Sequence, residues 1–135
     1  MNITVEKADA VTIMKLQGEL DASCYTAVIE KANILHSEGM RQLLLDLGDM
    51  TFMSSSGLVA LHSIAMLMRG ETTPDPESGW GAMHAISHNV EEAAGYEANC
   101  KLLNPQPRVE KTLNITGFNK ILEVFTDREA ALASF

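Results

Sequence analysis

The chain has 135 residues, of which 46% are hydrophobic, and a formal net charge of -8 from 18 acidic and 10 basic residues. This length and apolar content are enough for one domain whose core needs no disulfide or metal. The acidic excess repels phosphate backbones and anionic membrane surfaces, which argues against a nucleic-acid partner or a membrane role. Residues 1–6 carry no leader pattern, and no apolar run reaches the roughly 18 residues of a membrane span. We therefore expect a soluble, cytoplasmic protein, in which Cys24 and Cys100 are reduced thiols.

The first half of the chain alternates between strand and helix patterns. Two segments with alternating apolar residues, 3–7 and 11–16, flank a short turn and predict an antiparallel pair of strands that ends at residues 18–21. From residue 22 to residue 38, apolar side chains recur every 3.6 residues up to a glycine stop, which predicts the first helix. Residues 43–47 are almost continuously apolar, as expected for a central strand that is covered on both faces.

A second helix and a change of composition follow this strand. The helix is predicted from an inward stripe of apolar residues at helical spacing, which are Leu58, Leu61, Ile64, Ala65 and Met68. Residues 70–79 then lack large apolar side chains and contain two prolines, which predicts an exposed loop. Helical spacing returns between residues 83 and 95. We therefore expect an inserted loop and helix, over residues 70–99, between the second helix and the next strand.

The last third of the chain predicts two more strands and two more helices. Residues 101–103 form a short strand, a helix opened by proline ends at Gly117, and residues 121–125 form the final strand. Thr126 or Asp127 can cap a last helix. Together the elements predict an α/β fold, in which about four helices pack against a mainly parallel sheet with an antiparallel opening pair.

The junction between the central strand region and the second helix has the sequence F-M-S-S-S-G-L, at residues 52–58. Serines at the start of a helix offer side-chain oxygens for capping. The same helix start has free backbone N–H groups and a positive potential, so it also accommodates an anion or an added phosphate. The residues alone leave two interpretations open, a structural cap and a phosphorylation switch.

Several short segments, taken in their order and spacing, resemble the STAS domain, and within it the bacterial anti-sigma factor antagonists. They are G-E-L-D at 18–21, L-D-L at 45–47 followed by the serine run, L-L-N-P at 102–105 and T-G-F at 116–118. The resemblance covers residues 1–69 and 100–135. It implies a single domain over residues 1–135 with a STAS-like mixed sheet, in which residues 70–99 are an insertion.

The resemblance implies a partner switch and not an enzyme. In this family the unphosphorylated domain binds an anti-sigma factor that is itself a serine kinase, the kinase then phosphorylates the domain, and a phosphatase resets it. The usual family motif is Asp-Ser-Ser/Thr-Gly, which places the phosphoacceptor at Ser55 and the flanking positions at Ser54, Ser56 and Gly57. Ser54 stands where the family most often has Asp, so an acidic determinant beside the acceptor is missing. A STAS scaffold or transporter-accessory module without a phosphorylation cycle is the alternative.

One face of the second helix is predicted to meet the partner. Helical spacing places Val59, His62 and Met66 on the same face as Ser55, and this face is more apolar than a solvated surface usually is. A partner that covers it would have to desolvate a dianion at a phosphorylated Ser55, which opposes binding. In the alternative, Val59 and Met66 pack beneath the insertion. Asp21, at a strand-to-helix turn, completes the predicted partner surface, and the sequence is also compatible with a homodimer.

Other chemistries have weaker support in the sequence. His84 and His88 are four residues apart and could share a helix face as metal ligands, but they lack the glutamate of the zinc-protease motif, and two surface histidines are the plainer interpretation. The serine run has no glycine two residues before Ser55, as a hydrolase nucleophile elbow requires. We therefore predict no catalytic residue, metal or cofactor. Trp80, in the insertion, either anchors a partner or shields the domain itself.

Overall fold

One mixed sheet organises the chain, which a computed structural model describes over residues 1–70 and 96–135. Its strands are β1 (Asn2–Ala8), β2 (Val11–Leu20), β3 (Leu43–Asp46), β4 (Met50–Met53), β5 (Cys100–Leu103) and β6 (Val124–Phe125). The helices within these ranges are α1 (Tyr25–Ser37), α2 (Ser55–Arg69), α3 (Pro107–Thr116) and α4 (Arg128–Ala133), with a 3-10 turn at Phe118–Lys120. The predicted α/β class, with its antiparallel opening pair, is confirmed.

The strand order explains why the sheet is mixed. β1 and β2 are antiparallel, while β2, β3, β5 and β6 are parallel, in the spatial order β1-β2-β3-β5-β6. β2 is 10 residues long. After pairing with β3 over residues 12–15, it therefore continues beyond β3 and pairs with β4 over residues 18–20. This extension, which was expected to lie outside the strand, forms one wall of the candidate site.

The two faces of the sheet carry separate apolar clusters. The larger cluster contains Met14 and Leu16 of β2 together with buried residues of α1, α2 and α3. The smaller cluster contains Val11 and Ile13 of β2 and is covered by Ala131 of α4. Successive strand residues point to opposite faces. It follows that α1, α2 and α3 cover one face of the sheet, and that α4 covers part of the other.

The helices form where apolar periodicity predicts them, although some of their ends differ. The predicted inward stripe of α2 is buried, at Leu58, Leu61, Ile64, Ala65 and Met68. Burial of a large apolar side chain contributes about 2 kcal/mol, so this stripe holds α2 against the sheet. α1 begins at Tyr25 and not at residue 22, because Asp21 and Ser23 first form a hydrogen-bonded turn. α3 ends before Gly117, whose φ of 82° is readily adopted by glycine alone.

Two strands differ from the prediction. β4 was not predicted, because it is only 4 residues long and its alternation is interrupted by a bulge. The final strand was predicted over residues 121–125, but only Val124–Phe125 pairs with β5. Ile121 and Leu122 instead follow the 3-10 turn and are buried in the larger cluster. Their apolar character reflects this burial and not a strand.

An ion pair joins the chain segments on either side of residues 71–95. Arg69, at the end of α2, lies with its Nε 3.0 Å from Oε2 of Glu97, which is only 8% exposed and also accepts a hydrogen bond from the Asn99 backbone N–H. The buried carboxylate is thus paired, as burial of a charge requires. The predicted helix of the insertion lies outside the described residues. Among the helices of the described ranges, none combines the length and apolarity needed to cross a bilayer.

Candidate functional site at the start of α2

A β-bulge directs the side chains at the end of β4. The register between β2 and β4 shifts, so that Thr51 is an extra residue and Glu19 pairs with Phe52. Simple alternation would have turned Phe52 inward, but the extra residue reverses the two faces from that point. As a result Phe52 is 38% exposed beside Glu19, and Met53 is buried in the core.

Ser54 is the N-cap of α2. Its backbone is extended, and its Oγ accepts a hydrogen bond from the Gly57 backbone N–H, with 3.4 Å between the two atoms. Its own N–H donates to the carbonyl of Leu20 on β2, over 2.9 Å. The capping interpretation of the serine run is therefore confirmed at Ser54, which is half-buried and already engaged by the helix.

Ser55 differs from its neighbours in exposure. It is the first residue of α2 and is exposed, whereas Ser54 and Ser56 are half-buried. The first turn of α2 contains no acidic residue, and its first N–H groups have no carbonyl one turn earlier in the helix to bond. The accessible hydroxyl of Ser55 therefore lies at the positive end of the helix dipole. A phosphate on this hydroxyl would remain in contact with solvent.

Gly57 is required by close packing. A β-carbon at this position would lie 2.5 Å from Cγ of Met53, 3.0 Å from Cγ of Leu20 and 3.1 Å from the Leu20 carbonyl oxygen. The contact with Met53 is shorter than real β-carbons make, and the two contacts with Leu20 are tight enough that β2 would have to give by a few tenths of an ångström. A larger residue would push α2 away from both strands. Gly57 therefore fixes the position of the helix start, and with it the position of Ser55.

The turn between β2 and α1 borders the site. The carboxylate of Asp21 accepts hydrogen bonds from the hydroxyl and from the backbone N–H of Ser23, the latter over 2.9 Å. These hydrogen bonds lower the pKa of Asp21 below its ordinary value, so that the carboxylate remains charged in moderate acid. The thiol of Cys24 lies 3.2 Å from the carbonyl of Glu19. Asp21 is therefore a turn residue, as predicted. Its partly exposed negative charge directly follows Leu20, whose carbonyl accepts the hydrogen bond from Ser54.

Two residues of the predicted partner face are buried. Val59 and His62 are only 6% and 3% exposed, so the expectation that they lie on an outward face of α2 is wrong. The physical reason is that α2 packs against α1 as well as against the sheet, and a second stripe of the helix is covered. Met66 is half-buried. Of the four residues predicted to meet a partner, Asp21 and Met66 thus keep partial exposure. The alternative of packing beneath the insertion involves residues outside the described ranges.

Two carboxylates near the end of β3 have structural partners. Oδ1 of Asp46 accepts a hydrogen bond from the Gly48 backbone N–H over 3.0 Å, which closes the turn before β4. Oδ2 of Asp49 lies 2.9 Å from Nζ of Lys15. The hydrogen bond and charge of Lys15 lower the pKa of Asp49. Asp46 is therefore a turn residue, and Asp49 is the partner of Lys15 in an ion pair.

The remaining sequence candidates lie apart from α2 or outside the described ranges. In the described part of the chain, Cys24 and Cys100 are separate free thiols. Cys100 is completely buried, and this desolvation raises the pKa of its thiol. His84, His88 and Trp80 lie outside the described residues.

A family model assigns the first half of the fold. The model of the STAS domain matches residues 2–71, which are more than half of the chain. The chain belongs to the STAS domain family. The matched part of this STAS domain runs from β1 to the end of α2 and includes the junction that carries Ser55.

Relatives of this STAS domain extend the likeness over the whole chain. A Bordetella bronchiseptica protein, named provisionally as the anti-sigma factor antagonist BtrV, is 27% identical over 135 residues, which are 100% of this chain and 95% of that protein. The crystal structure of an anti-sigma factor antagonist from Mycobacterium paratuberculosis has a TM-score of 0.69 at 18% identity, and the alignment covers 98% of this chain and 92% of that one. The phosphorylated Bacillus cell fate determinant SpoIIAA has a TM-score of 0.55 at 20% identity, with 99% and 100% coverage. At these identities the two structures establish the fold.

Sequence reasoning missed Phe52 and Glu19 as residues of the site. The pairing of β2 with β4 brings them together, and a single unpredicted residue of bulge decides that Phe52 points outward. One signal was present in the sequence. Residues 50–53 are apolar at positions 50, 52 and 53, which no regular alternation can place on one face.

Proposed function

We propose that this STAS domain is an anti-sigma factor antagonist that is switched by phosphorylation of Ser55. In its unphosphorylated state it binds an anti-sigma factor of the serine-kinase type, and the phosphorylated state is released. The observation that carries the proposal is the exposure of Ser55 on a helix start that is otherwise capped and closely packed. The names of the Bordetella protein and of the similar structures support the same class of function.

The chemistry of the site is compatible with phosphoryl transfer to Ser55. The Ser55 oxygen would attack the γ-phosphorus of ATP bound to the kinase, ADP would leave with the electron pair of the broken P–O bond, and the hydroxyl proton would pass to solvent water. The product carries about -1.5 to -2 charges at neutral pH. Within the domain this charge meets the positive end of α2 and no acidic residue of the first turn. The domain itself therefore tolerates the phosphate, and the effect on function arises at the partner.

Release follows from the cost of covering a dianion. A partner that touches Ser55 must remove water from the phosphate, which opposes binding unless a cation of the partner replaces that water. Because Val59 and His62 are buried, we place the docking surface around the exposed start of α2 and the turn at Asp21, with Met66 at its margin. Ser54 supplies the cap that an acidic residue would also supply. Its lack of charge therefore removes an acidic determinant of kinase recognition and leaves the positive end of α2 without a carboxylate.

We further propose that residues 1–135 form one domain, which acts in the cytoplasm and has no enzymatic activity of its own. A phosphatase removes the phosphate from Ser55. A homodimer stays a prediction from the sequence.

Phosphosite mapping tests the chemistry. The full chain is incubated with ATP and with each purified anti-sigma kinase encoded in the same genome, and the modified residue is identified by mass spectrometry. We expect one phosphate, at Ser55, with Ser54→Ala and Ser56→Ala still modified and Ser55→Ala unmodified. Modification of Ser54 or Ser56 instead would contradict the assignment, because exposure would then not have selected the acceptor: Ser55 is exposed and the other two serines are half-buried.

Binding measurements test the switch. We expect Ser55→Ala to bind the kinase as the wild-type chain does, and Ser55→Asp to bind at least about ten-fold more weakly. The smaller charge of Asp makes this a lower limit for the phosphate. Equal binding by both variants would contradict the switch and favour the scaffold alternative, in which a stable assembly forms without phosphorylation.

A further inference from the structure

β1 forms one edge of the sheet, and its outer side pairs with no other strand of the described ranges. Its inner side pairs with β2 over all seven residues, Asn2–Ala8, without a shift of register. Natural edge strands are protected from further pairing by short length, by proline, by bulges or by charged side chains. Of these devices β1 has only the charges, on Glu6 and Lys7. Its outer side is therefore a long and regular edge, on which a second strand can pair.

The hairpin between β1 and β2 decides which backbone groups of β1 point outward. Ala8 and Val11 flank a two-residue turn, so they form a hydrogen-bonded pair. Hydrogen-bonded and non-hydrogen-bonded pairs then alternate along the two strands. The residues whose N–H and C=O groups point away from β2 are Ile3, Val5 and Lys7. In agreement, the N–H of Thr12, which lies opposite Lys7, donates to the carbonyl of Gln42 and not to β1.

This edge is on the other side of β2 from the start of α2. The N–H of Thr12 donates to Gln42, directly before β3, and the N–H of Gly18 donates to Asp49, directly before β4. Thr12 and Gly18 are an even number of residues apart along β2, so their N–H groups point to the same side. β3 and β4 therefore share one edge of β2, and β1 occupies the opposite edge. A strand added to β1 extends the sheet away from Ser55.

We propose that two copies of this chain form a homodimer by antiparallel pairing of their β1 strands. Val5 lies on the two-fold axis, opposite Val5 of the second copy. The inference goes beyond the proposed function, because it requires neither the phosphorylation of Ser55 nor the anti-sigma factor. It gives the homodimer that the sequence allows a defined surface and a defined register.

The register follows from symmetry and from the alternation of backbone groups. Only outward-pointing residues can bond to one another, which leaves two-fold axes through Thr4, Val5 or Glu6. An axis at Val5 overlaps the whole of both strands and forms about six backbone hydrogen bonds, two for each of three pairs. An axis at Thr4 shortens the overlap, and an axis at Glu6 places two carboxylates directly opposite each other, which is unfavourable. The axis at Val5 is therefore favoured.

Apolar side chains along β1 support this register. Met1, Ile3 and Val5 share one face by strand alternation, and Met1 and Val5 are 38% and 37% exposed. In the dimer Val5 packs against Val5 of the second copy, and a β-branched pair of this kind stabilises a sheet. Lys7 lies opposite Ile3 of the second copy, so its alkyl chain covers that side chain while the ammonium group stays in water. The contact therefore removes exposed apolar area from water in both copies.

The charges of the edge also fit a second copy. Glu6 lies opposite Thr4 of the second copy and is already paired with Arg128 of its own domain. β1 as a whole carries one acidic and one basic side chain, whereas the chain has a net charge of -8. Repulsion between two acidic chains is smallest where the surfaces that meet are neutral. The remaining long-range repulsion is screened by salt, so the dimer should become stronger as salt is added.

Sedimentation equilibrium of the full, unphosphorylated chain tests the homodimer. β1 contributes seven residues, against roughly 20–30 on each side of a standard interface, so we expect a dissociation constant on the order of 10–100 µM. Val5→Lys should weaken dimerisation at least about ten-fold, because two ammonium groups would face each other on the axis. Val5→Thr is the matched control. It retains a neutral β-branched side chain and should dimerise within about two-fold of the wild-type chain.

Oxidative cross-linking tests the register. The Cα atoms of a hydrogen-bonded antiparallel pair are about 5.5 Å apart, which a disulfide can span, so Val5→Cys should form a linked dimer. Thr4→Cys is the control, because the two new thiols would lie diagonally, with Cα atoms about 8 Å apart and beyond the reach of a disulfide. The wild-type chain, with Cys24 and Cys100, gives the background. Val5→Cys introduces no charge, so it decides the matter even where Val5→Lys lowers stability.

The outcomes also separate the homodimer from the phosphorylation switch. A chain that stays monomeric at about 500 µM, roughly five-fold or more above the expected dissociation constant, overturns the homodimer. A dimer that Val5→Lys does not weaken overturns its assignment to β1, and linkage through Thr4→Cys but not Val5→Cys overturns the register. Ser55→Asp should dimerise as the wild-type chain does, and loss of its dimer would contradict the separation of the two sites. Its binding to the anti-sigma factor tests the switch alone, so either proposal can fail without the other.

Discussion

Helices α2 and α4 both begin with a side-chain cap, but the two starts differ in charge. Ser54 accepts a hydrogen bond from the N–H of Gly57, and Asp127 accepts one from the N–H of Ala130, three residues later in both cases. At α4 the cap is an anion and Glu129 adds a second carboxylate to the first turn. At α2 the cap is neutral and the first turn contains no acidic residue. The positive helix end is thus already neutralised at α4 and is not at α2.

The residues that follow the two caps, Ser55 in α2 and Arg128 in α4, also differ in their contacts with the rest of the domain. Arg128, at the start of α4, is tied to the domain through an ion pair with Glu6 of β1. Ser55, at the start of α2, has no side-chain hydrogen bond or ion pair within the described residues, and it is exposed. The comparison shows that a capping residue alone does not indicate function. A neutral cap followed by an accessible, unbonded hydroxyl is what favours a phosphorylation site.

The largest expected effect is on the free energy of unfolding, and it compares the third residues of the two helices, Gly57 in α2 and Ala130 in α4. Gly57→Ala should lower the free energy of unfolding by about 3 kcal/mol, because the new β-carbon would meet Met53 and Leu20 at 2.5 to 3.1 Å. Ala130→Gly, at the equivalent exposed position of α4, should cost only about 0.5–1 kcal/mol, from backbone entropy. Urea unfolding followed by circular dichroism measures both. Equal stability of Gly57→Ala and the wild-type chain would show that α2 is not held by this contact.

The caps themselves give the next largest effect. Ser54→Ala should lower the free energy of unfolding by about 1 kcal/mol, since the Gly57 N–H loses its acceptor. Ser54→Asp should retain the cap and be at least as stable as the wild-type chain, because its carboxylate also meets the positive helix end. Asp127→Ser should likewise keep the cap at α4. Urea unfolding of the three variants tests this. If Ser54→Ala is as stable as Ser54→Asp, the hydrogen bond from the Gly57 N–H to the Ser54 Oγ, at 3.4 Å, does not contribute to stability.

Much of the fold could be predicted because it depends on local pattern. The inward stripe of α2, the turn at Asp21 and the cap at Asp127 follow from spacing and from residue chemistry, and the structure contains all three. β4 could not be predicted, because it pairs over three positions with the end of a strand that lies far from it in sequence. Such pairing is a tertiary property, and no local pattern encodes it.

The site was only partly predictable for the same reason. Ser54 and Ser55 stand where the serine run predicted a helix start. The exposure of Val59 and His62 was predicted wrongly, because one helix period cannot show that a second helix covers another stripe. Phe52 was missed, because its outward direction depends on the bulge at Thr51. Contacts between elements, and not residue types, decided these three positions.

A smaller effect concerns the charge at the start of α2. Ser55→Asp should raise the free energy of unfolding by about 0.3–1 kcal/mol at low ionic strength, because the carboxylate meets an unneutralised helix end. Ser55→Asn is the neutral control and should leave stability unchanged. The gain should diminish as salt is added. A loss of stability in Ser55→Asp would contradict the proposal that the domain tolerates a phosphate at this residue.

The smallest effect concerns the tether at the start of α4, and it is expected chiefly in a pKa, because an exposed ion pair changes stability only slightly. Arg128 lowers the pKa of Glu6 through a hydrogen bond and through its charge. A carboxyl whose pKa is depressed by folding stabilises the protein above its unfolded pKa, near 4.3, and this contribution is lost as the pH falls through the folded value. Arg128→Gln should therefore return the pKa of Glu6 to its ordinary range, which a titration of the carboxyl carbon by NMR measures. Ser55→Ala is the control at the other helix start and should leave the pKa of Glu6 lowered. If Glu6 still titrates at its lowered pKa in Arg128→Gln, the ion pair does not form in solution. The two helix starts would then differ in the charge of their caps alone.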